Sequence, residues 1–206
     1  MITERDNTTL TLYHGSDRIV LPENIRFPGP RGDCDFGTGF YLTDSRHVAE
    51  EWVCNEQTPI INVYNYTVPQ NDVLYLVDTD WLRVIVGFRK EIYKVHLKSN
   101  VVHGLIADDR MFEYLADFIR GAIGDKRLMK CLDYCKLGSQ YCLRKDPAGL
   151  TFVNSYPLQS QERQNANQRF KDRRIGMRME LQQIIRRHIE GERFIEDYLQ
   201  EGDFFE

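Results

Sequence analysis

The sequence predicts an α+β fold. Polar–apolar alternation over residues 9–14 reads as a strand, and apolar residues at Trp81, Ile85, Phe88 and Ile92 recur at helical spacing. Shorter strand-like segments at 101–107, 139–143 and 150–153 are set among further helical stretches.

In chain order, the first strand is followed by residues 17–38, which hold Pro22, Pro28, Pro30, Gly29, Gly32 and Gly37. That density of breakers predicts a loop. Thr43, Asp44 and Ser45 supply capping chemistry for a helix to about residue 55, with Val48 and Trp52 on one face. Residues 60–68 and 72–77 read as strands joined by a polar turn. Asp78 and Asp80 open the next helix, whose Trp81 stripe is expected in the core. Residues 101–107 form a buried strand ended by Asp108, Asp109 and Arg110. Helices at about 111–119 and 126–136, separated by Gly121 and Gly124, precede the closing strands.

After Pro157 the texture changes. Residues 159–167 are polar and expected to be loop-like; a basic run spans Arg163 to Arg187, and the sign reverses over 190–206. A long helix or helical pair is expected, with Met179, Leu181, Ile184, Ile185, Ile189, Ile195, Tyr198 and Leu199 as its apolar stripe. The chain divides on this reading into residues 1–157 and a helical extension, 158–206, basic then acidic.

A length of 206 residues supports one domain with a hydrophobic core, alone or with that extension. Hydrophobic content of 42% excludes a disordered chain. No apolar run approaches a membrane span, and the first residues lack a basic-then-apolar signal, so a cytoplasmic protein is expected. The cysteines at 34, 54, 131, 135 and 142 lack zinc spacing, so reduced thiols and no metal are expected. A net charge of −4 gives no general attraction to nucleic acid. The basic run is a solvated helix face, a phosphate-binding surface, a dock for an acidic partner, or a partner for the chain's own acidic tail.

Three separated segments carry the chemistry. Tyr13-His14-Gly15-Ser16 ends the first strand, residues 35–43 form a run hinged by Gly37 and Gly39 that presents Phe40 and Tyr41, and Ser139-Gln140-Tyr141 opens a later strand. A ring nitrogen, an aromatic platform and a polar strand-end residue suggest one cleft assembled from several strands.

This constellation resembles the ADP-ribosyltransferases of the diphtheria-toxin and poly(ADP-ribose) polymerase branch. Their NAD site reads His-Gly-Ser, then Phe-Gly-x-Gly-(Ile/Val)-Tyr-Phe, then Asn-Glu-Tyr. The match runs from about residue 11 to about 153 and is closest to a bacterial group with glutamine in the third place, a His-Tyr-Gln variant. The resemblance implies a split antiparallel sheet with flanking helices, NAD as substrate and no metal. It implies a mono-ADP-ribosyltransferase acting on a protein or nucleic-acid acceptor, toxin- or effector-like, with a small antitoxin or immunity protein as partner and no membrane.

Residue by residue, the resemblance assigns His14 to a ribose hydroxyl on the adenosine side, and Gly15 and Ser16 to the nicotinamide carboxamide. Tyr41 stacks on the nicotinamide ring, with Trp52 as the opposite aromatic face, and Gly39 and Phe40 shape the same pocket. Gln140 keeps the hydrogen bond that a glutamate makes to the nicotinamide ribose and loses the charge, which disfavours polymer elongation. Asp108 and Asp109, with Arg110 beside them on the acceptor side, are candidates to activate the acceptor or to supply a carboxylate, and the three serve equally well as a helix cap with its ion pair. Taken singly, His14, Tyr41 and Trp52 read as packing residues; their joint order favours the cleft. NAD hydrolysis, a catalytically silent NAD- or ADP-ribose-binding module, and a nucleic-acid-binding protein are the alternatives.

Overall fold

The computed structural model describes residues 8–27, 34–107, 114–135, 137–176 and 178–206. The fold is α+β. A mixed seven-stranded sheet has the order β4-β6-β7-β2-β1-β3-β8, beside a ribbon of β5 and β9. The strands are β1 (Thr9–Ser16), β2 (Phe40–Thr43), β3 (Ile60–Thr67), β4 (Val73–Tyr75), β5 (Val95–His96), β6 (Val101–Leu105), β7 (Ser139–Leu143), β8 (Leu150–Pro157) and β9 (Phe204–Phe205). The described helices are α1 (Arg46–Val53), α2 (Asp78–Lys90), α3 (Tyr114–Ile119), α4 (Asp125–Cys135), α5 (Ser160–Gly176), α6 (Arg178–Arg186) and α7 (Ile195–Glu201).

The sheet is not wholly antiparallel, as the resemblance implied. β4 and β6 run parallel, with Val73 opposite Val101 and Tyr75 opposite His103. Parallel neighbours need a crossover, and α2 with β5 supplies it. The other pairs in the large sheet are antiparallel. Alternation along β7 sends Tyr141 and Leu143 to a cluster with Leu12, Leu42 and Tyr64, and Cys142 to the opposite cluster around Trp81, Ile85, Phe118 and Tyr198.

Local signals set several boundaries. The Ser45 hydroxyl accepts the Val48 N–H at 3.4 Å and starts α1. α2 ends where Glu91 turns left-handed (φ 52°) and its N–H bonds the Gly87 carbonyl. Trp81 and Ile85 are therefore fully buried, whereas Ile92, expected on the same stripe, lies beyond the helix and is exposed.

Residues 159–167, expected to be loop-like, lie largely in α5. This helix is held by polar contacts that an apolar pattern does not reveal. Arg163 donates to the carbonyls of Cys54 and Glu56 at 3.1 and 2.7 Å, and Arg169 meets Glu50 at 2.5 Å. Within the basic run, Arg163 and Arg169 thus engage α1 and the residues just past it, while acidic residues of the tail have other partners: Glu192 bonds Arg127, Glu201 bonds Arg193, and Glu206 bonds Ser99. Of the C-terminal stripe, Leu181, Ile195 and Tyr198 are buried and Leu199 is exposed; the Met179 side chain lies outside the described residues. Among the described residues, no helix is long and apolar enough to cross a membrane.

Candidate functional site

The sheet's pairing is thinnest where β1 meets β2. β1 and β3 are in register from Thr9–Thr67 to Ser16–Ile60, but β1 and β2 share the single pair Tyr13–Thr43. Just past that pair, His14 Nδ1 lies 2.8 Å from the Tyr41 carbonyl oxygen. A carbonyl only accepts, so Nδ1 carries the proton and Nε2 of the neutral ring is left as an acceptor. The ring packs on Phe40 with centroids 4.3 Å apart. Burial lowers the His14 pKa to about 4 against the opposing pull of the Tyr41 carbonyl, which keeps the imidazole neutral at pH 7.

The turn after His14 is organised by Asn62, a fully buried amide on β3. Its Nδ2 donates to Ser16 Oγ at 3.0 Å and to the Arg18 carbonyl at 3.1 Å, and its Oδ1 accepts the Val20 N–H at 2.9 Å. Ser16 Oγ donates in turn to the Arg18 carbonyl at 2.5 Å, so its proton is committed to the turn. Gly15 has a packing reason of its own. A Cβ there would sit 2.5 Å from the Ala49 carbonyl and 2.6 Å from a Val53 methyl, so the glycine lets α1 lie directly on β1.

Tyr41 is built into the glycine hinge that precedes it. Its hydroxyl donates to the Gly37 carbonyl at 2.6 Å and accepts the Phe36 N–H at 3.0 Å. The ring stacks near Phe36 at 6.4 Å, and burial pushes the phenol well above its ordinary pKa. Gly37 takes φ 76°, and a Cβ on Gly39 would lie 2.7 Å from the Leu143 carbonyl, so both positions demand glycine.

Gln140 is buried at the start of β7, with 4% of its surface exposed. Its Nε2 donates to Asp35 Oδ2 at 2.5 Å, and the same oxygen accepts the Ala107 N–H at 2.9 Å. Asp35 Oδ1 accepts from Arg89 Nε at 2.7 Å, and Arg89 also donates to the Ala107 carbonyl. Burial raises the Asp35 pKa, opposed by the Arg89 charge, the Ala107 N–H and the Gln140 amide.

The register puts Tyr41 opposite Cys142 and Thr43 opposite Gln140, so Tyr41 and Gln140 share one face of the sheet. His14 lies on the other face, with Phe40 and Leu42, and reaches Tyr41 through the main chain. The sequence-predicted His14, Gly15, Ser16, Gly39, Phe40, Tyr41 and Gln140 are thus brought to adjoining strands. Trp52 is not set against Tyr41: it is half-buried beside Val48 and Leu181 and beside Ala49 and Val53, whereas Tyr41 packs on the Phe36–Trp81 cluster. Asp108, Asp109 and Arg110 lie outside the described residues.

Asp35, Arg89 and Asn62 were not singled out in the sequence. Asn62 carried a signal, a polar side chain inside an apolar strand; Asp35 carried only its place before the Gly37–Gly39 hinge. Among the described residues, no group of three or more His, Cys, Asp or Glu could hold a metal ion. A cavity of about 360 Å³ lies between α2, α4 and α7, lined by Asp78, Leu82, Asp125, Met129 and Tyr198 among others, and by none of the predicted site residues.

No curated protein and no solved structure matches the chain. One family does match, over residues 10–164, a span that takes in His14, Tyr41 and Gln140 and ends inside α5. The chain belongs to this family, described as "Protein of unknown function (DUF3990)".

Proposed function

We propose that the protein is an NAD-dependent mono-ADP-ribosyltransferase. The observation that carries the reading is the place where β1 and β2 stop pairing: His14 there offers a neutral acceptor nitrogen beside Gly15 on the same strand, and Tyr41 on β2 and Gln140 on β7 stand across the seam on the other face. In this reading the thin seam takes the role of the split in an ADP-ribosyltransferase sheet, and its single Tyr13–Thr43 pair supports that role.

In this reading the NAD ribose on the adenosine side donates to His14 Nε2, and the nicotinamide lies by Gly15 and Tyr41. When the bond between nicotinamide and ribose breaks, its electron pair stays on the pyridine nitrogen, and positive charge grows on the anomeric carbon. Gln140 holds the ribose hydroxyl without adding charge, which suits a single transfer. The acceptor, a protein side chain or a nucleic-acid base, bonds to that carbon and releases a proton. A toxin-like role with a small antitoxin protein follows from the same reading.

A second reading, a silent NAD- or ADP-ribose-binding module, is favoured by one observation: Gln140 is buried and neutral where a charged glutamate would act. Incubation with labelled NAD and cell lysate separates the two. Label on macromolecules is the expected result, and Tyr41→Ala is expected to cut turnover by more than ~10-fold. NAD binding without label or nicotinamide release would establish the silent module. Free ADP-ribose without macromolecular label would mean hydrolysis.

A further inference from the structure

We propose that Asp35 is the carboxylate of this site, a buried positioning residue that fixes the Gln140 amide so that its carbonyl oxygen faces away from Asp35 and toward substrate. The inference rests on the transferase reading and names the residue that makes a glutamine workable at that position.

The orientation follows from donor and acceptor chemistry. Asp35 is ion-paired with the Arg89 guanidinium through Oδ1 and takes the Ala107 N–H on Oδ2, so it meets its neighbours as an acceptor, and the Gln140 atom 2.5 Å from Oδ2 is the amide nitrogen. The Gln140 Oε1 therefore lies on the opposite side of the amide, and a flip would set two oxygens against each other. Asp35 cannot swing away. Arg89 on α2 grips its other oxygen, and the Ala107 N–H, just beyond β6, grips the same one as Gln140. Asp35 is also bonded in sequence to Phe36, whose N–H holds the Tyr41 hydroxyl, so one short segment positions both Tyr41 and Gln140. An N–H donated to a charged acceptor is a strong, charge-assisted bond. It places extra electron density on the amide oxygen, where a developing ribosyl cation is stabilised.

The test exchanges acid and amide. Asp35→Asn, Gln140→Glu and the double variant are compared with the unaltered protein for nicotinamide release across pH, for NAD binding by calorimetry, and for thermal unfolding. Asp35→Asn is expected to lower kcat by about tenfold or more while NAD affinity stays within about threefold. Gln140→Glu sets two carboxylates together, so activity is expected to fall at neutral pH, with the pKa governing that limb raised by about one unit or more. The double variant restores an acid–amide pair in reverse order and is expected to recover turnover and lose that pH dependence. Unchanged kcat in Asp35→Asn, or a double variant no better than Gln140→Glu, overturns the inference while the transferase reading stands. Should Asp35→Asn not fold, the Gln140→Glu pH profile decides, and one matching the unaltered protein overturns the inference. An unaltered protein that neither binds nor cleaves NAD overturns the reading and the inference together.

Discussion

The imidazole of His14 donates its Nδ1 proton to the Tyr41 carbonyl across 2.8 Å, one residue beyond the only backbone pair between β1 and β2. A side chain thereby takes over where two strands separate, and the state of one ring is tied to the integrity of the sheet.

That ring has a pH signature. Its pKa is about 4 in the folded protein against 6.5 in an unfolded chain, because burial opposes charge. As pH falls, the unfolded chain takes the proton first, so the His14 contribution to stability is intact above 6.5 and is lost progressively toward about 4. His14→Gln is expected to remove this component. Thermal unfolding of both proteins at pH 7 and pH 4.5 checks it; an identical acid-induced loss in both would show that His14 is not buried neutral.

Asn62→Ala is expected to cost about 2 kcal/mol, since it strips the partner from the Val20 N–H and takes the amide donor from both Ser16 Oγ and the Arg18 carbonyl, which keeps only the Ser16 hydroxyl. Urea unfolding measures the cost. Amide exchange at Val20 gives a local readout, and protection there unchanged by the substitution would refute the hub role.

Gly15→Ala pushes a methyl into the Ala49 carbonyl and Val53, which forces α1 off β1. A loss of about 1–3 kcal/mol is expected in the absence of any ligand. A melting temperature equal to that of the unaltered protein would mean that the close packing of α1 on β1 is wrong.

Glu50 anchors α5. Burial raises its pKa, but His47, Arg46 and Arg169 outweigh burial and hold the carboxyl below its ordinary range. Its contribution is therefore present above the normal carboxylate pKa and is lost as pH falls through the lowered one. Glu50→Gln is expected to destabilise by about 2 kcal/mol at pH 7, less than a fully buried pair because Arg46 and Arg169 are partly exposed. Limited proteolysis should cut α5 sooner in the variant, and equal cleavage rates would sink the anchoring role.

What the sequence determined by itself was local. The alternation before His14, the Ser45 cap, the Trp81–Ile85 stripe and the glycine hinge before Tyr41 each depend on neighbours a few residues away, and each lies where it was expected. The three motif segments could be named from the chain for the same reason. Tertiary structure decided the rest. α5 is largely polar, with Arg169 on the buried Glu50 of α1 and only Ala166 and Phe170 as apolar contacts among the described residues, so no periodic pattern announces it. β4 and β6 are parallel because α2 carries the chain back across the sheet. Asp35 has meaning only beside Gln140, far along the chain, and Asn62 only beneath the turn after His14. A buried polar group must find its hydrogen-bond partner wherever the fold brings one, and that distance in sequence hides the pair from any local reading.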